Sequence, residues 1–277
     1  MEFNIGIDVG ASFIKAGLVN ENNEIIHRKT MKTPKEYEYI LDVCAEIIKE
    51  FQNEKDNIKT IGIGVPGLIG KKGEILFCDN LNISNVDLAG DLEKLIYKKV
   101  LVENDADCAL IGEYIKGKAK GYENIVMLTL GTGIGSSVMM SGKLIKGTEL
   151  GHMTICLDGE KCSCGSKGCL EAYCSLKKLG EDPRDILQMD SKEKRRLVNI
   201  YIKGITAGIR NLILAYSPEI VLLGGGLSNY ADRLIELIKI EMKTYGYDYS
   251  LRKATIEKAS LLNDAGLIGA GSLDLFV

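Results

Sequence analysis

The residues with the strongest chemical character are one histidine and three cysteines that lie close together in the chain. The run CSCGSKGC over 162–169 contains three thiols, and the histidine lies ten residues before the first of them. Thiolates and an imidazole are ligands that Zn²⁺ prefers, and four protein ligands leave no open coordination position. The alternative is a group of free thiols. We expect a structural zinc ion bound by His152, Cys162, Cys164 and Cys169.

The other cysteines are scattered, and the even total of eight raises the question of a disulfide framework. The length of the chain, the irregular spacing and the lack of a signal peptide at the N-terminus argue against one. We expect these cysteines to be small buried residues, which applies to Cys44, Cys78, Cys108, Cys156 and Cys174.

A short turn after the first predicted strand offers groups that bind a nucleotide. The run DVGAS over 8–12 begins with a carboxylate and continues with small residues that let a ligand approach the backbone. Backbone N–H groups could bind phosphate oxygens, and the carboxylate could bind Mg²⁺. A plain turn between strands is the alternative. The candidate contacts are Asp8, Gly10, Ala11, Ser12 and, as an added positive charge, Lys15.

Two further glycine-rich segments follow predicted strands later in the chain. GTGIG over 131–135 matches neither a dinucleotide nor a Walker motif and is typical of a hairpin clamp on phosphate. LGGGLS over 223–228 ends a strand and begins a helix, where an α/β sheet binds nucleotides. A tight bend and a flexible helix start are the respective alternatives. The candidate contacts are Gly131, Thr132, Gly133, Gly225 and Gly226.

Three carboxylates remain as candidates for acid–base chemistry or sugar binding. Asp105 lies between a predicted strand and a predicted helix, so it either caps that helix or accepts a proton from a sugar hydroxyl during phosphoryl transfer. Glu149 and Glu171 each lie within three residues of a proposed zinc ligand. A metal would fix their positions, and a fixed carboxylate can accept hydrogen bonds from a polyol.

The order of predicted elements indicates an α/β protein. Strand, glycine-rich turn, strand and short strand occur over 3–30 and again over 125–146, either as unrelated hairpins or as two similar halves that each contact one phosphate chain. Apolar spacing predicts further strands over 60–65, 100–103, 219–223 and 254–257. It predicts helices over 36–53, 88–98, 105–116, 191–216, 230–243 and 264–275.

Charge and hydropathy restrict the partners. The net charge is −3 and no basic run is present, which argues against nucleic-acid binding. A zinc-ribbon nucleic-acid module would need a second pair of metal ligands. No apolar run approaches the ~18 residues of a membrane-spanning helix, so we expect a soluble, cytoplasmic protein with no membrane partner.

These motifs together resemble the ROK family of bacterial sugar kinases and repressors, within the actin-like ATPase superfamily, over nearly the whole chain. ELGH over 149–152 and CSCGSKGCLE over 162–171 are similar to the family's most specific signatures. The segments over 8–12, 103–106, 130–136, 223–228 and 263–270 resemble its first phosphate motif, catalytic segment, second phosphate motif, adenosine segment and C-terminal helix. The family usually has a tryptophan soon after the Asn80-Leu81 pair, and this chain has none.

The resemblance implies an α/β fold of two actin-like (ribonuclease H-like) domains with a cleft between them. The N-terminal domain would span 1–115 and be completed by a C-terminal helix over 262–277. The C-terminal domain would span 116–261 and carry the zinc loop. Dimers are common in the family, so a homodimer is expected.

The resemblance also implies the activity. Asp105 would be the catalytic base, and the sugar would be bound by Asn80, Asn104, Asp105, Glu149, His152 and Glu171. The substrates would be a hexose and MgATP, and the phosphoryl group would go to the 6-hydroxyl, with glucose as the first candidate. N-acetylmannosamine, N-acetylglucosamine, fructose and allose are alternative sugars. A sugar-binding regulator without catalysis is the alternative of another class.

Overall fold

The computed structural model describes residues 1–179, 191–226, 231–245 and 254–276. The chain divides into two compact units. Unit 1 contains Met1–Lys120 and Asn263–Val277, and unit 2 contains Gly121–Leu262. Unit 1 is therefore discontinuous, because the chain returns to it at its C-terminus.

The strands and helices alternate along the chain, as an α/β protein requires. The strands are β1 (Phe3–Val9), β2 (Phe13–Asn20), β3 (Ile25–Lys32), β4 (Ile58–Val65), β5 (Leu68–Ile69), β6 (Ile75–Cys78), β7 (Ile83–Val86), β8 (Leu101–Asn104), β9 (Ile125–Leu130), β10 (Ile134–Met140), β11 (Lys143–Ile145), β12 (Ile220–Gly224) and β13 (Thr255–Lys258). The helices are α1 (Tyr37–Glu54), α2 (Leu88–Ile96), α3 (Asp105–Ile115), α4 (Leu170–Cys174), α5 (Leu176–Leu179), α6 (Lys192–Tyr216), α7 (Ala231–Met242) and α8 (Asp264–Ala270).

Each unit has a five-stranded sheet, and the two sheets have the same topology. The strand orders are β3-β2-β1-β4-β8 in unit 1 and β11-β10-β9-β12-β13 in unit 2. In each sheet the first three strands of the sequence pair antiparallel and the last two add parallel strands on the other side. The internal repeat is therefore confirmed at the level of the sheets, and the alternative of two unrelated hairpins is wrong.

The sheet of unit 1 is covered by helices on both faces. Its central strands β1 and β4 are buried along most of their length, as strands covered on both faces are. Helix α1 contributes Ile47, Ile48 and Phe51 to the core on one face. Helix α8 contacts β1 and β4, and with α3 it covers the strands that end in the candidate site.

Glycine residues let α8 contact its neighbours through the backbone. A Cβ atom on Gly6 of β1 would overlap the carbonyl oxygen of Leu267, and one on Gly62 of β4 would overlap that of Ala270. A Cβ atom on Gly269 of α8 would likewise overlap the carbonyl oxygen of Cys108 in α3. Side chains at these positions would push α8 off the sheet.

This packing predicts that two alanine substitutions in α8 differ strongly in their effect on the free energy of unfolding. Gly269→Ala forces a methyl group onto the backbone of α3, so we expect it to lower the free energy of unfolding by about 3 kcal/mol or more. Gly266→Ala is the matched control, because its Cβ atom would lie 4.0 Å from Asp8. Because alanine favours a helix over glycine by up to about 1 kcal/mol, we expect Gly266→Ala to keep or slightly raise the free energy of unfolding. Urea unfolding measures both, and equal stability of the two variants would contradict the packing.

The last helix and a small sheet differ from the sequence-based elements. The last helix is shorter than the predicted 264–275, since α8 ends at Ala270 and a 3₁₀ turn follows at Leu273–Leu275. The small sheet β5-β6-β7 was not predicted. Leu227, Ser228 and the predicted start of a helix at Tyr230 lie outside the described residues, as does Val277 of the predicted terminal helix.

Among the described residues, one helix is long and apolar enough to cross a membrane by length and composition. It is α6, whose tested 18-residue window has a mean hydropathy of 1.2. Lys203 and Arg210 interrupt α6, so it does not contain the continuous apolar run that the sequence analysis excluded. Within unit 2, 56% of that window is buried. Val198, Ile205 and Ile209 belong to the core, so α6 packs as a core helix does.

Candidate functional site

Two candidate carboxylates of unit 1 lie at the same edge of its sheet. Strands β1, β4 and β8 are parallel, so their carboxyl ends meet there. Asp8 pairs with Gly64, and Gly64 pairs with Glu103, which places Asp8 and Glu103 at one level. Two strand spacings separate them, about 10 Å. Asp105 begins the helix that follows β8, so the fold brings it to the edge where Asp8 lies.

Asp105 is the first residue of α3, and Asn104 is the helix cap. The Oδ1 atom of Asn104 accepts hydrogen bonds from the backbone N–H groups of Ala106 at 2.9 Å and Asp107 at 3.3 Å. The interpretation of Asp105 as the cap is therefore wrong, because the preceding residue has the extended backbone that capping needs. The half-buried Asp105 side chain lies at the positive end of the helix dipole, which favours a charged carboxylate.

A third hydrogen bond of the Asn104 side chain ties this helix start to the small sheet. Its Nδ2 atom donates to the carbonyl oxygen of Gly67 at 2.9 Å. Gly67 has a φ of +102°, and a Cβ atom there would overlap the carbonyl oxygen of Phe77 in β6. Directly after β6 comes a 3₁₀ turn that exposes Asn80. Burial raises the pKa of the Cys78 thiol, and the Asp105 carboxylate adds to the rise, so this turn begins close to Asp105.

The first phosphate turn offers fewer backbone donors than the sequence indicates. The N–H of Gly10 donates to the carbonyl oxygen of Phe13 at 3.0 Å, within the turn itself. Ala11 and Ser12 are exposed. Lys15 Nζ lies 3.9 Å from Asp8 Oδ2. Burial raises the pKa of Asp8 and so disfavours its charged form, and Lys15 opposes the rise only in part. A divalent cation bound there would stabilise the charged carboxylate.

The two glycine segments of unit 2 lie side by side. Strands β9 and β12 are parallel neighbours, with Gly224 paired to Thr129 at their carboxyl ends. Gly225 has a φ of +83°, and its Cβ atom would lie 2.6 Å from the carbonyl oxygen of Leu130. Gly226 lies next to the same carbonyl. The structure thus brings the segments at 131–133 and 225–226 to one sheet edge, which is where α/β sheets bind nucleotides.

The predicted zinc ligands come together around one point. Their ligand atoms all lie within 4.8 Å of one another. Cys164 Sγ is 3.7 Å from Cys169 Sγ, and Cys162 Sγ is 3.6 Å from His152 Nδ1. A tetrahedral ion with Zn–S bonds of about 2.3 Å separates two sulfurs by about 3.8 Å. The cluster therefore has the dimensions of a zinc site.

The thiols of this cluster have unlike environments. Burial raises the pKa of Cys169 to about 12. The backbone N–H of Ser166 lowers the pKa of the exposed Cys164.

Of the cysteines expected to be buried, Cys44, Cys78, Cys108 and Cys174 are buried. Cys156 is exposed, so its predicted burial is wrong. It lies on the loop between His152 and Cys162, outside any strand or helix.

Glu171 lies between the cluster and the second glycine turn. Its Oε2 atom accepts the backbone N–H of Ile134 at 2.9 Å, and its Oε1 atom accepts the Ser163 hydroxyl at 2.9 Å. The other proposed sugar carboxylate, Glu149, is exposed before the 3₁₀ turn Leu150–His152. The sequence analysis missed Ser163, whose only signal is its place between two zinc-ligand candidates.

The comparisons with known proteins indicate one family. The ROK family model matches residues 4–275. The glucokinase of Thermotoga maritima is 30% identical over 97% of this chain and 96% of its own length. The N-acetyl-D-glucosamine kinase of Vibrio atlanticus is 32% identical over 98% and 99%. A crystal structure of a ROK family glucokinase from Streptomyces griseus, in complex with glucose and AMPPNP, has a TM-score of 0.78 and 26% identity, and the match covers 98% of both chains.

The family match spans nearly the whole chain, and the solved structure is similar over the same extent. The fold is therefore the two-domain actin-like α/β fold that the sequence motifs imply. This chain belongs to the ROK family.

Proposed function

We propose that this protein is an ATP-dependent sugar kinase that phosphorylates the 6-hydroxyl of a hexose, with glucose as the first candidate. The observation that carries the proposal is the place of Asp105, a carboxylate at a helix start and at the sheet edge where Asp8 lies. Relatives named glucokinase and N-acetyl-D-glucosamine kinase support a sugar kinase and leave the choice between these two sugars to experiment.

Asp105 acts as the general base in this proposal. A sugar hydroxyl is a poor nucleophile until its proton is accepted, and a carboxylate within hydrogen-bond reach performs that step during phosphoryl transfer. The start of α3 holds the carboxylate in place, because the Asn104 cap fixes the first turn. Closure around the substrates would exclude water, which otherwise competes as the acceptor.

The nucleotide is assigned to the glycine segments of both units. Ala11 and Ser12 of the first turn, with Lys15 beside them, would contact phosphate oxygens. Gly131, Thr132 and Gly133, together with Gly225 and Gly226, supply the second set of contacts. Asp8 would hold Mg²⁺, directly or through water. When bound, this ion supplies positive charge that neutralises the phosphate oxygens.

The sugar is assigned to Asn80, Asn104, Glu149, His152 and Glu171. His152 can serve both the metal and the sugar, because its Nδ1 atom faces Cys162 and leaves Nε2 for a hydroxyl. Zinc at the cluster would have a structural role, since four protein ligands close its coordination sphere. The cleft between the two domains, the exact domain limits, a homodimer and a cytoplasmic location stay predictions.

A coupled assay of ADP release over a panel of hexoses tests the proposal. We expect release with glucose, and the panel includes N-acetylglucosamine, N-acetylmannosamine, fructose and allose. The sugar with the highest kcat/KM identifies the substrate. Binding of a sugar without ADP release from any of them would contradict the kinase and favour the sugar-binding regulator.

A further inference from the structure

The Glu171 carboxylate links two segments that have separate roles in the proposed function. One oxygen accepts the hydroxyl of Ser163, which lies between two cysteines of the metal cluster. The other accepts the N–H of Ile134, the residue that follows the glycine turn assigned to ATP. The two bonds are 2.9 Å each, within the normal range of N–H···O and O–H···O hydrogen bonds. A single side chain therefore spans the distance from the metal loop to the nucleotide loop.

The glycine turn is shaped to receive this carboxylate. A Cβ atom on Gly133 would lie 2.5 Å from Glu171 Oε2, so a larger residue would displace the acid. A second contact comes from the same stretch of chain, because the N–H of Leu176 donates to the carbonyl oxygen of Gly131 at 2.9 Å. The segment that follows Cys169 thus holds the nucleotide turn at both ends.

Glu171 keeps room for a sugar while it makes these contacts. A carboxylate has about four acceptor positions. Ile134 occupies one on Oε2 and Ser163 one on Oε1, and the Cys162 Sγ atom also lies 4.0 Å from Oε1. The positions that remain can accept sugar hydroxyls, the role assigned to Glu171 above. A sugar bound there would order the carboxylate, and the ordered carboxylate would in turn order the nucleotide turn.

We propose that Glu171 couples sugar binding to nucleotide binding, and that Ser163 is the positioning residue that holds Glu171 in place for this coupling. The inference rests on the proposed function, which assigns the sugar to Glu171 and the phosphates to the glycine turn. Because coupling between two ligands is reciprocal, sugar must tighten nucleotide binding by the same factor by which nucleotide tightens sugar binding.

Calorimetry measures the coupling factor. MgAMPPNP is titrated into the full chain with and without a saturating concentration of the hexose that gives the highest turnover. We expect the wild-type protein to bind MgAMPPNP about 10-fold more tightly with sugar present. Ser163→Ala should reduce that factor to about threefold or less, because a hydrogen bond to a charged group is lost. Ser163→Thr, which keeps the hydroxyl, should restore it. Ser166→Ala is the matched control, an exposed serine of the same loop.

Metal content and melting temperature of each variant show that the loop is intact and keep the comparison interpretable. Equal coupling factors in the Ser163→Ala and Ser166→Ala variants, with wild-type turnover present, would overturn the inference and leave the proposed function standing. A loss that Ser163→Thr fails to restore would also overturn it. Absence of both nucleotide binding and turnover in the wild-type protein would reject the proposed function itself, and the inference with it.

Discussion

Asp105→Asn is expected to lower kcat by about 10²- to 10⁴-fold, the usual contribution of a general base. Asparagine has nearly the same shape, and its Oδ1 atom can still accept the Ala106 N–H that Asp105 accepts at 2.9 Å. The helix start should therefore persist. An amide cannot take the proton of a sugar hydroxyl, so the loss should fall on turnover, while the dissociation constant of the sugar changes by no more than a few-fold.

Asp107→Asn is the matched control for this variant. Asp107 lies in the same first turn of α3, so its replacement removes the same charge from the same helix end without touching the proposed base. We expect its kcat to stay within about threefold of wild type. Steady-state ADP release and sugar titration of both variants make the comparison. Near-normal turnover of Asp105→Asn, or an equal loss in Asp107→Asn, would reject the role of Asp105.

Loss of the proposed zinc site is expected to have the largest effect on stability. Cys169 is fully buried, and α4 begins directly after it. Cys169→Ser should abolish zinc binding and leave the loop over 152–169 without its cross-link. Because a bound structural metal contributes directly to folding, we expect a loss of about 4 kcal/mol. For a chain of this size that corresponds to a fall in Tm of roughly 10 °C.

Cys156→Ser separates this effect from the loss of any thiol. Cys156 is exposed, lies on the same unit and does not belong to the cluster. We expect one zinc ion per chain, measured by mass spectrometry, in wild type and Cys156→Ser, and none in Cys169→Ser. An unchanged Tm of wild type after verified removal of zinc would contradict the structural role.

The features that the sequence predicted well depend on local patterns. The ligand atoms of the cluster converge because all four residues lie on one short stretch of chain. The repeated strand-turn-strand pattern predicted the matching halves of the two sheets, since buried strands followed by glycine are read over a few residues. The residue types and their short spacing were sufficient to predict both features.

The features that the sequence missed depend on contacts between distant segments or on one position of register. β5, a strand of two residues, is too short for an alternation pattern, and this hid the small sheet whose strands β6 and β7 flank Asn80. Asn104 rather than Asp105 caps α3 because the helix begins at Asp105, one residue earlier than that interpretation required. The bond from Ile134 to Glu171 joins residues 37 positions apart, and no local pattern reports it.

The proposed reaction transfers a phosphoryl group from ATP to the 6-hydroxyl of a hexose. The same ADP-release assay, run with glucose and with 6-deoxyglucose, tests it most directly, because the second sugar lacks only the acceptor oxygen. We predict ADP release with glucose, none above background with 6-deoxyglucose, and competitive inhibition of the first reaction by the second sugar. Equal release with both sugars, or release with neither glucose nor any other hexose of the panel, would contradict the claim.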